Sequence, residues 1–135
     1  AKEKNIYLLF EKSKENIFLK INPFRFREII YNLISNAIKY TFEGGVKIYD
    51  KVDFRKKRYY IFVKDTGVGI SAEAQQKIFQ KFFRERKKET AEVEGTGLGL
   101  WISKELAKRM MGDVLVESIE GQGSIFIVYF PIFQK

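Results

Sequence analysis

The sequence predicts an α+β fold in which a mixed, mostly antiparallel sheet packs against helices as a two-layer sandwich. Two observations predict it: strand-like segments come in pairs joined by short polar turns, and helical segments stand between those pairs. The chain has 135 residues, of which 45% are hydrophobic and 16% aromatic, which is the size and apolar content of one globular domain. We therefore expect a single domain over residues 1–135.

The first third of the chain predicts two strands and a long helix. Ile6–Glu11 and Ile17–Ile21 are rich in apolar residues and flank a polar turn, so we expect them to pair with each other. Asn22 and Pro23 then begin a helix, because Asn caps helix starts and Pro fits the first helical position. The helix runs to about Tyr40, with apolar residues at helical spacing at Phe26, Ile30, Leu33, Ile34 and Ala37.

The rest of the chain continues this alternation, without an internal repeat or a low-complexity tract. The expected elements are strands Val46–Val52 and Tyr59–Lys64, a helix begun by Ser71 and running through Phe83, a polar loop over residues 84–96, a helix from Gly97 to Met111, and strands Val114–Ser118 and Ser124–Phe130. Helices between strand pairs favour a sheet that is covered on one face.

The chain contains no Cys and no His. This composition excludes disulfides and cysteine–zinc sites, and it removes the commonest general base and transition-metal ligand. Chemistry based on carboxylates, amides, Lys and Arg suits Mg²⁺ and phosphate. The formal charge is +8, with basic runs at Arg55–Arg58 and Arg84–Lys88. We interpret these runs mainly as solvated charge, with a functional basic surface as the alternative.

One face of the long helix is polar. At about 100° per residue, Asn32, Asn36 and Lys39 share a side of the helix opposite its apolar positions. Asn is a poor helix former, so two Asn residues at successive turns indicate that the amide groups have a role other than forming the helix. Carboxamide oxygens suit Mg²⁺ that phosphates already hold, and the lysine could pair with phosphate. The face therefore predicts a phosphate and metal site, and a solvated polar face is the alternative.

Two glycine-rich segments add candidate binding loops. Asp65 ends a predicted strand just before Gly67 and Gly69, and its carboxylate could accept a hydrogen bond from the exocyclic amine of a base or only shape the turn. Residues 95–100 open a helix, where backbone N–H groups approach phosphate closely. A charged loop leads into them and no Gly-Lys-Ser/Thr follows, so they are neither a Rossmann fingerprint nor a P-loop.

In their order along the chain, these segments resemble the motifs of the catalytic domain of sensor histidine kinases. The matching segments are residues 32–41 (NLISNAIKYT, the N box), 65–70 (DTGVGI, the G1 box), 78–84 (IFQKFFR, the F box), 95–100 (GTGLGL, the G2 box) and 120–124 (EGQGS, the closing turn). The resemblance implies the Bergerat ATP-binding fold, which gyrase B, the MutL mismatch-repair proteins and heat-shock ATPase chaperones share. The chain departs from the family pattern at Asn22, Phe42 and Met111, outside the implied nucleotide site.

The resemblance implies a role for each motif residue. Asn36 would ligate Mg²⁺, and Asn32, Lys39 and Arg84 would form the catalytic set beside the phosphates of ATP. Asp65 would bind the adenine amine, and the polar loop over residues 84–96 would close over ATP as a lid. The residues that would surround the rest of the nucleotide are Tyr40, Gly67, Gly69, Ile70, Gly95, Thr96, Gly97, Leu98 and Gly99.

The implied activity is that of a protein-histidine kinase, which transfers the γ-phosphoryl group of ATP to a histidine. Hydrolysing members of the superfamily carry Glu where Asn32 stands. An amide cannot act as a general base, and Glu28 lies a further turn away, so we predict ATP binding with little hydrolysis. The alternatives are an anti-sigma-type serine kinase and an interaction module of the same fold without nucleotide.

Because the chain has no His, the phosphoacceptor is expected on a separate dimerisation domain, absent from this chain. The expected partners are that domain and a downstream response regulator, with no nucleic acid. We expect the isolated domain to be a monomer and the full-length kinase a homodimer. Its polar start and the lack of any stretch near the roughly 20 apolar residues of a membrane span predict a cytoplasmic domain. The inner membrane is the candidate anchor of the parent protein.

Overall fold

A computed structural model describes residues 5–85 and 97–133. Its elements are β1 (Tyr7–Glu11), α1 (Pro23–Lys39), β2 (Gly45–Asp53), β3 (Arg58–Asp65), α2 (Ala72–Gln75), α3 (Gly99–Arg109), β4 (Asp113–Ile119) and β5 (Gly123–Pro131). The strands form one five-stranded sheet in the order β1-β2-β3-β5-β4, in which only the β1–β2 pair is parallel. The predicted α+β sandwich with a mixed, mostly antiparallel sheet is confirmed.

The helix α1 begins where the sequence predicts. Asn22 adopts an extended conformation, and its side-chain oxygen accepts hydrogen bonds from Phe24 N at 2.9 Å and Arg25 N at 3.2 Å. Pro23 follows in the first turn, where its missing N–H leaves no bond unmade. The apolar side of the helix is buried at Ile29, Leu33 and Ala37. Because its apolar side is buried in this way, α1 presents its polar side away from the core.

The predicted hairpin of Ile6–Glu11 with Ile17–Ile21 is wrong. β1 pairs in parallel with β2, so the chain forms a β-α-β crossover through α1. In the second segment only Leu19 makes a bridge, an isolated antiparallel one to Ile132. That segment is held by the end of the chain, since Phe133 N donates to Phe18 O at 2.7 Å. The sequence between the two segments is polar, as a turn requires, but a local pattern contains no information about partners that are distant in the sequence.

The predicted helix from Ser71 to Phe83 is also mostly wrong. Ser71 does cap a helix, but α2 ends after one turn at Gln75, and the chain continues through tight turns. Phe82 adopts a left-handed conformation with φ 67°, and its N–H donates to Gly97 O at 2.9 Å. From these turns Ile78, Phe79 and Phe83 all pack against the hydrophobic core. Phe79, for instance, meets Phe126 edge-on, with ring centroids 6.3 Å apart.

The core lies between the sheet and the two long helices, which pack side by side on one sheet face. It is made largely of aliphatic residues from α1, β2, β3, β4 and β5, with Phe126 and Phe130 as its largest fully buried side chains. Across the two described ranges, no helix is both long and apolar enough to cross a membrane. The opposite face of the sheet carries a cross-strand aromatic pair, Tyr49 and Phe62, stacked at 4.7 Å.

One core position predicts a gain in stability. The Ser103 hydroxyl of α3 is fully buried and forms no hydrogen bond with the described residues. We expect Ser103→Ala to raise the free energy of unfolding by about 1 kcal/mol, because it removes an unsatisfied polar group and improves helix propensity. Urea unfolding would measure the change. Ser118→Ala, which removes a hydroxyl with several partners, serves as the matched control and should destabilise the protein.

Candidate nucleotide-binding site

A cavity of about 430 Å³ opens between α1, the start of α3, the loop after β3 and the turns after α2. Its lining residues are Glu28, Asn32, Ser35, Asn36, Lys39, Tyr40, Asp65, Val68, Gly69, Ile70, Ile78, Phe83, Arg84, Glu85, Gly97, Leu98, Gly99, Leu100, Ile102, Ser124 and Phe126. The volume lies within the range usual for small-molecule and cofactor sites. The cavity brings most of the residues predicted from the sequence to one place.

The polar face of α1 forms one wall of the cavity. Asn32, Asn36 and Lys39 all line it, with Ser35 between them on the same side of the helix. The side chains of Asn32 and Asn36 form no hydrogen bonds with the described residues, so their amide oxygens are available to a ligand. Asn32 and Asn36 are half-buried beside the cavity and Lys39 is exposed at its edge. The interpretation of this face as a phosphate and metal site stays a prediction.

Asp65 forms the deep end of the cavity. Its carboxylate is only 6% exposed, and Oδ1 accepts hydrogen bonds from Gly67 N at 2.9 Å and Ser124 N at 3.2 Å. Both bonds end on Oδ1, so Oδ2 remains to meet a ligand in the cavity. Burial raises the pKa of Asp65 to about 6, against the lowering effect of the two backbone hydrogen bonds. A buried, fixed acceptor of this kind suits an amine donor such as that of adenine.

The loop after β3 is held too tightly for side chains at its glycines. A Cβ on Gly67 would collide with the carbonyl oxygen of Tyr40, and one on Gly69 would collide with that of Ile119. Gly69 also has φ 73°, a conformation that side chains disfavour. Val68 N donates to Tyr40 O at 3.1 Å, which ties the loop to the end of α1. Tyr40, which also lines the cavity, therefore holds this loop through its backbone carbonyl.

Gln75 and Ser118 hold the other side of this loop. The Gln75 amide donates to Ile70 O and to Ser118 O, both at 2.9 Å. The Ser118 hydroxyl accepts from Ile70 N at 2.8 Å and lies 2.7 Å from the hydroxyl of Ser124. Ser124 in turn donates its N–H to Asp65. A continuous set of hydrogen bonds thus joins α2, the β4–β5 hairpin and the buried carboxylate.

This arrangement predicts that Gln75 matters for the cavity although it does not line it. We expect Gln75→Leu to weaken nucleotide affinity about fivefold, because the loop loses two hydrogen bonds and keeps two unpaired carbonyl groups. Calorimetric titration with ATP would measure the change. The neighbouring exposed residue gives a matched control, Gln76→Leu, which should bind as the wild type does. Equal affinities in both variants would show that the loop does not need the two hydrogen bonds from Gln75.

The start of α3 faces the cavity with glycine on both sides of Leu98. Gly97 has φ 76°, and a Cβ there would clash with the backbone of Phe82. Gly99 is different, because the nearest atom to a Cβ there would be Asn32 Cγ at 4.0 Å. The structure therefore has room for a side chain at position 99. Leu98 gives no side-chain cap to α3. A helix start that leaves this room suits the close approach of phosphate groups.

Arg84 and Glu85 line the cavity at the base of the predicted lid. The Glu85 carboxylate accepts from the Ser71 N–H at 3.3 Å and from the Ser71 hydroxyl, which is also the cap of α2. The rest of the predicted lid, with Gly95 and Thr96, lies outside the described residues.

Sequence reasoning missed several lining residues. Ser35 could have been found, since it lies between Asn32 and Asn36 on the same helical face. Phe83 and Ser124 lie within the F box and the closing turn, but neither was given a role at the site. Ile102 and Phe126 carry no local signal, because distant elements bring them to the cavity. Glu28 lines the cavity too, but its carboxylate is paired with Arg25 at 3.3 Å.

The residues present fit a nucleotide whose phosphates share in holding a metal ion. In the described part of the chain, no group of three or more His, Cys, Asp or Glu side chains could hold a metal by itself. Neutral amide oxygens on α1 can complete the coordination of Mg²⁺ that is bound mainly by phosphates. The buried carboxylate at the other end is placed for an adenine amine.

Comparison with known proteins agrees with this geometry. Residues 21–134 match the family of histidine kinase-, DNA gyrase B- and HSP90-like ATPases. The chain is 35% identical over 132 residues to the sensor histidine kinase WalK of Bacillus subtilis, covering 97% of this chain and 22% of WalK. It is 36% identical over 121 residues to the sensor protein EvgS of Escherichia coli, covering 87% of this chain and 10% of EvgS. The chain thus spans under a quarter of the length of these relatives.

Solved structures give the same result for the domain. The catalytic domain of histidine kinase ThkA superposes with a TM-score of 0.79 at 29% identity, over 96% of this chain and 82% of that one. Full-length ShkA in complex with AMPPNP superposes with a TM-score of 0.84 at 31% identity, over 100% of this chain and 27% of ShkA. The chain therefore belongs to the family of histidine kinase-, DNA gyrase B- and HSP90-like ATPases, and within that family it is a catalytic domain of the sensor histidine kinase type.

Proposed function

We propose that this domain binds ATP with Mg²⁺ in the cavity and transfers the γ-phosphoryl group to a histidine on a separate domain. The observation that carries the proposal is the shared cavity: a buried acceptor at Asp65, an amide-bearing face on α1 and the glycine-flanked start of α3 line the same space. These three features match the adenine, the metal and the phosphates of one nucleotide. The complex of the similar protein ShkA with AMPPNP supports the same ligand class.

Most of the predicted residues then have a place in the proposal. Asp65 accepts from the adenine amine, and Tyr40 and Ile70 line the adenine side. Asn36 would help to hold Mg²⁺, and a bound Mg²⁺ would neutralise charge on the phosphate oxygens. Asn32, Lys39 and Arg84 orient the phosphates, together with the backbone of Gly97, Leu98 and Gly99. The roles of Gly95 and Thr96 rest on the resemblance alone.

Transfer is favoured over hydrolysis because α1 offers a poor base for water. Asn32 occupies the position one turn before Asn36, and an amide cannot accept a proton near neutral pH. Glu28 is the nearest carboxylate on this helix, and it is paired with Arg25. In the transfer, the bond from the γ-phosphorus to the bridging oxygen breaks, a bond to the acceptor nitrogen forms, and ADP leaves. The presence of Asn32 where other members of the superfamily carry Glu also disfavours the alternative of an anti-sigma-type serine kinase.

The partners follow from the absence of His in the chain. The phosphoacceptor lies on another domain, which we propose to be the dimerisation domain of the same kinase, with a response regulator downstream. The parent protein would then be a homodimer, with this domain on the cytoplasmic side. WalK and EvgS are named as sensor proteins, which supports a two-component role.

The test combines binding with transfer. Calorimetry should show ATP binding that Mg²⁺ strengthens, and labelled ATP alone should leave the chain unlabelled. Addition of a histidine-bearing dimerisation domain should give acid-labile label on that domain. Stable labelling of this chain, or release of ADP at about 1 per second or faster without an acceptor, would contradict the proposal. Absence of any nucleotide binding would favour an interaction module.

A further inference from the structure

The end of the domain farthest from the cavity has a second cleft. Strand β3 runs from Arg58 at this end to Asp65 at the cavity, while α1 begins here and α3 ends here. The cleft has a volume of about 440 Å³ and is lined by Lys20, Ile21, Asn22, Arg109, Met110, Met111, Pro131, Ile132 and Phe133. Its lining is mainly apolar, with two cations among the lining residues. We call the cleft and the adjoining β2–β3 hairpin tip (residues 53–58) the basal surface.

The two parts of the basal surface are joined by hydrogen bonds. Ile132 N donates to Lys57 O at 2.9 Å, which fixes the chain end beside the hairpin tip. Phe133 N donates to Phe18 O, and Lys20 Nζ lies 5.9 Å from the centre of the Phe133 ring. The cations of the tip and of the cleft therefore belong to one continuous surface.

This surface is basic. The segments 18–22, 53–58, 109–111 and 131–133 present five cations, Lys20, Arg55, Lys56, Lys57 and Arg109, against the single carboxylate of Asp53. A sixth cation, Arg58, is engaged on the sheet, where its guanidinium lies 4.2 Å from the centre of the Tyr129 ring. The carboxylate of Asp53 is engaged locally, since it accepts from Arg55 N and Lys56 N, both at 3.0 Å. A cluster of this sign attracts an extended anionic surface.

Large apolar side chains stand exposed among these cations. Phe54 at the hairpin tip is 63% exposed, Phe18 58%, Phe133 43% and Met111 79%. Met111 also holds a left-handed conformation with φ 66°, at the end of α3 where glycine is usual. An exposed apolar residue kept in a disfavoured conformation indicates a use for its side chain.

We propose that the basal surface binds membranes that contain anionic phospholipid. The cations pair with phosphate headgroups, while Phe54 and Met111 enter the apolar layer beneath them and the cleft accepts part of a lipid chain. Lysines and arginines mixed with exposed aromatic residues are typical of such interfacial contacts. An acidic protein would match the charge but would leave the aromatic tip without an apolar partner. This orientation turns the nucleotide cavity away from the membrane.

Vesicle co-sedimentation tests the proposal. The domain should bind phosphatidylcholine vesicles that contain about 30% phosphatidylglycerol and not vesicles of phosphatidylcholine alone. Replacement of Arg55, Lys56 and Lys57 by Gln should weaken binding roughly 100-fold, since each cation near an anionic surface contributes several-fold in affinity. The matched control replaces Lys64, Lys77 and Lys81 by Gln. It makes the same change in net charge away from the surface and should retain most of the binding.

Two apolar variants separate insertion from simple charge attraction. Met111→Gly should raise the melting temperature, because glycine suits its conformation, and should still weaken vesicle binding several-fold. Phe54→Ser should weaken binding about tenfold. ATP affinity should be unchanged in Met111→Gly, in Phe54→Ser and in the triple variant of Arg55, Lys56 and Lys57, so the test stands apart from the proposed kinase function.

Three results would overturn the proposal. They are equal binding to neutral and anionic vesicles, equal loss in the two triple variants, and unchanged vesicle binding by Met111→Gly and Phe54→Ser. Capture by a single-stranded oligonucleotide with no vesicle binding would overturn it as well and would identify nucleic acid as the partner.

Discussion

Replacement of Asp65 by Asn is expected to weaken ATP binding about 100-fold and, near neutral pH, to make the fold more stable. The loss of affinity follows from the fixed position of Oδ1, which two backbone N–H groups hold in place. In the variant the amide oxygen takes that position and the NH₂ group faces the cavity. A donor would then meet the donor amine of adenine.

The gain in stability follows from the pKa of Asp65, which burial raises from 3.8 to about 6. The folded state binds this proton more tightly than the unfolded state does. The contribution of Asp65 to stability is therefore largest below about pH 4 and is lost as the pH rises towards 6. Above that range the buried charge destabilises the fold by about 3 kcal/mol, as a shift of about two units implies.

Urea unfolding of wild type and Asp65→Asn would measure this effect. We expect the variant to be more stable by about 2–3 kcal/mol near pH 8 and similar to wild type near pH 4. The matched control is Asp53→Asn, the same chemical change at an exposed hairpin tip, where the amide oxygen can still accept from Arg55 N and Lys56 N. It should not show the gain in stability near pH 8 and should leave ATP binding unchanged. A variant less stable than wild type at both pH values would mean that the carboxylate stabilises the fold.

Calorimetry across the same pH range tests the link to ATP. Wild-type affinity should fall as the pH drops through about 6, because a protonated carboxyl is a poorer acceptor. The phosphates of ATP titrate in both proteins, so the ratio of wild-type to variant affinity isolates the contribution of Asp65. A ratio independent of pH would argue against a contact between Asp65 and the nucleotide.

The parts of the fold that depend on neighbouring residues were predictable from the sequence, and the parts that depend on contacts between distant residues were not. The start of α1 at Asn22 and Pro23 and its polar face follow from capping and periodicity, which act within the helix itself. The pairing of β1 with β2 does not, because it depends on a crossover that brings together residues far apart in the chain. The isolated bridge of Leu19 to Ile132 depends on the opposite end of the chain in the same way.

The candidate site was predictable to the same degree. The motif residues lie in loops and on one helix face, where chemistry dictates the residue types, and the structure brings those it describes to the cavity or its rim. Gln75 and Ser118 were not foreseen, because a Gln and a Ser outside any motif show no function until their partners are known. In the turns that replace the predicted helix up to Phe83, Phe82 N donates to Gly97 O, a partner that is remote in the sequence.

Replacement of Asn36 by Ala is expected to abolish the strengthening of ATP binding by Mg²⁺ and to lower phosphoryl transfer to the acceptor domain by roughly 100-fold or more. The side chain lines the cavity on α1 and forms no hydrogen bond with the described residues, so its removal leaves no protein group unpaired. Alanine also favours the helix, and the fold should be at least as stable as wild type. A loss of transfer could then not be attributed to unfolding.

The measurement is a pair of calorimetric titrations with ATP, with and without Mg²⁺, followed by labelling of the acceptor domain. ATP alone should bind the variant nearly as well as wild type, because Asp65 recognises the base at the other end of the cavity. Ser35→Ala, on the same helical face, is the matched control and should keep the response to Mg²⁺. If Asn36→Ala kept that response, the metal would be held by other groups, and the polar face of α1 would serve only to contact phosphate.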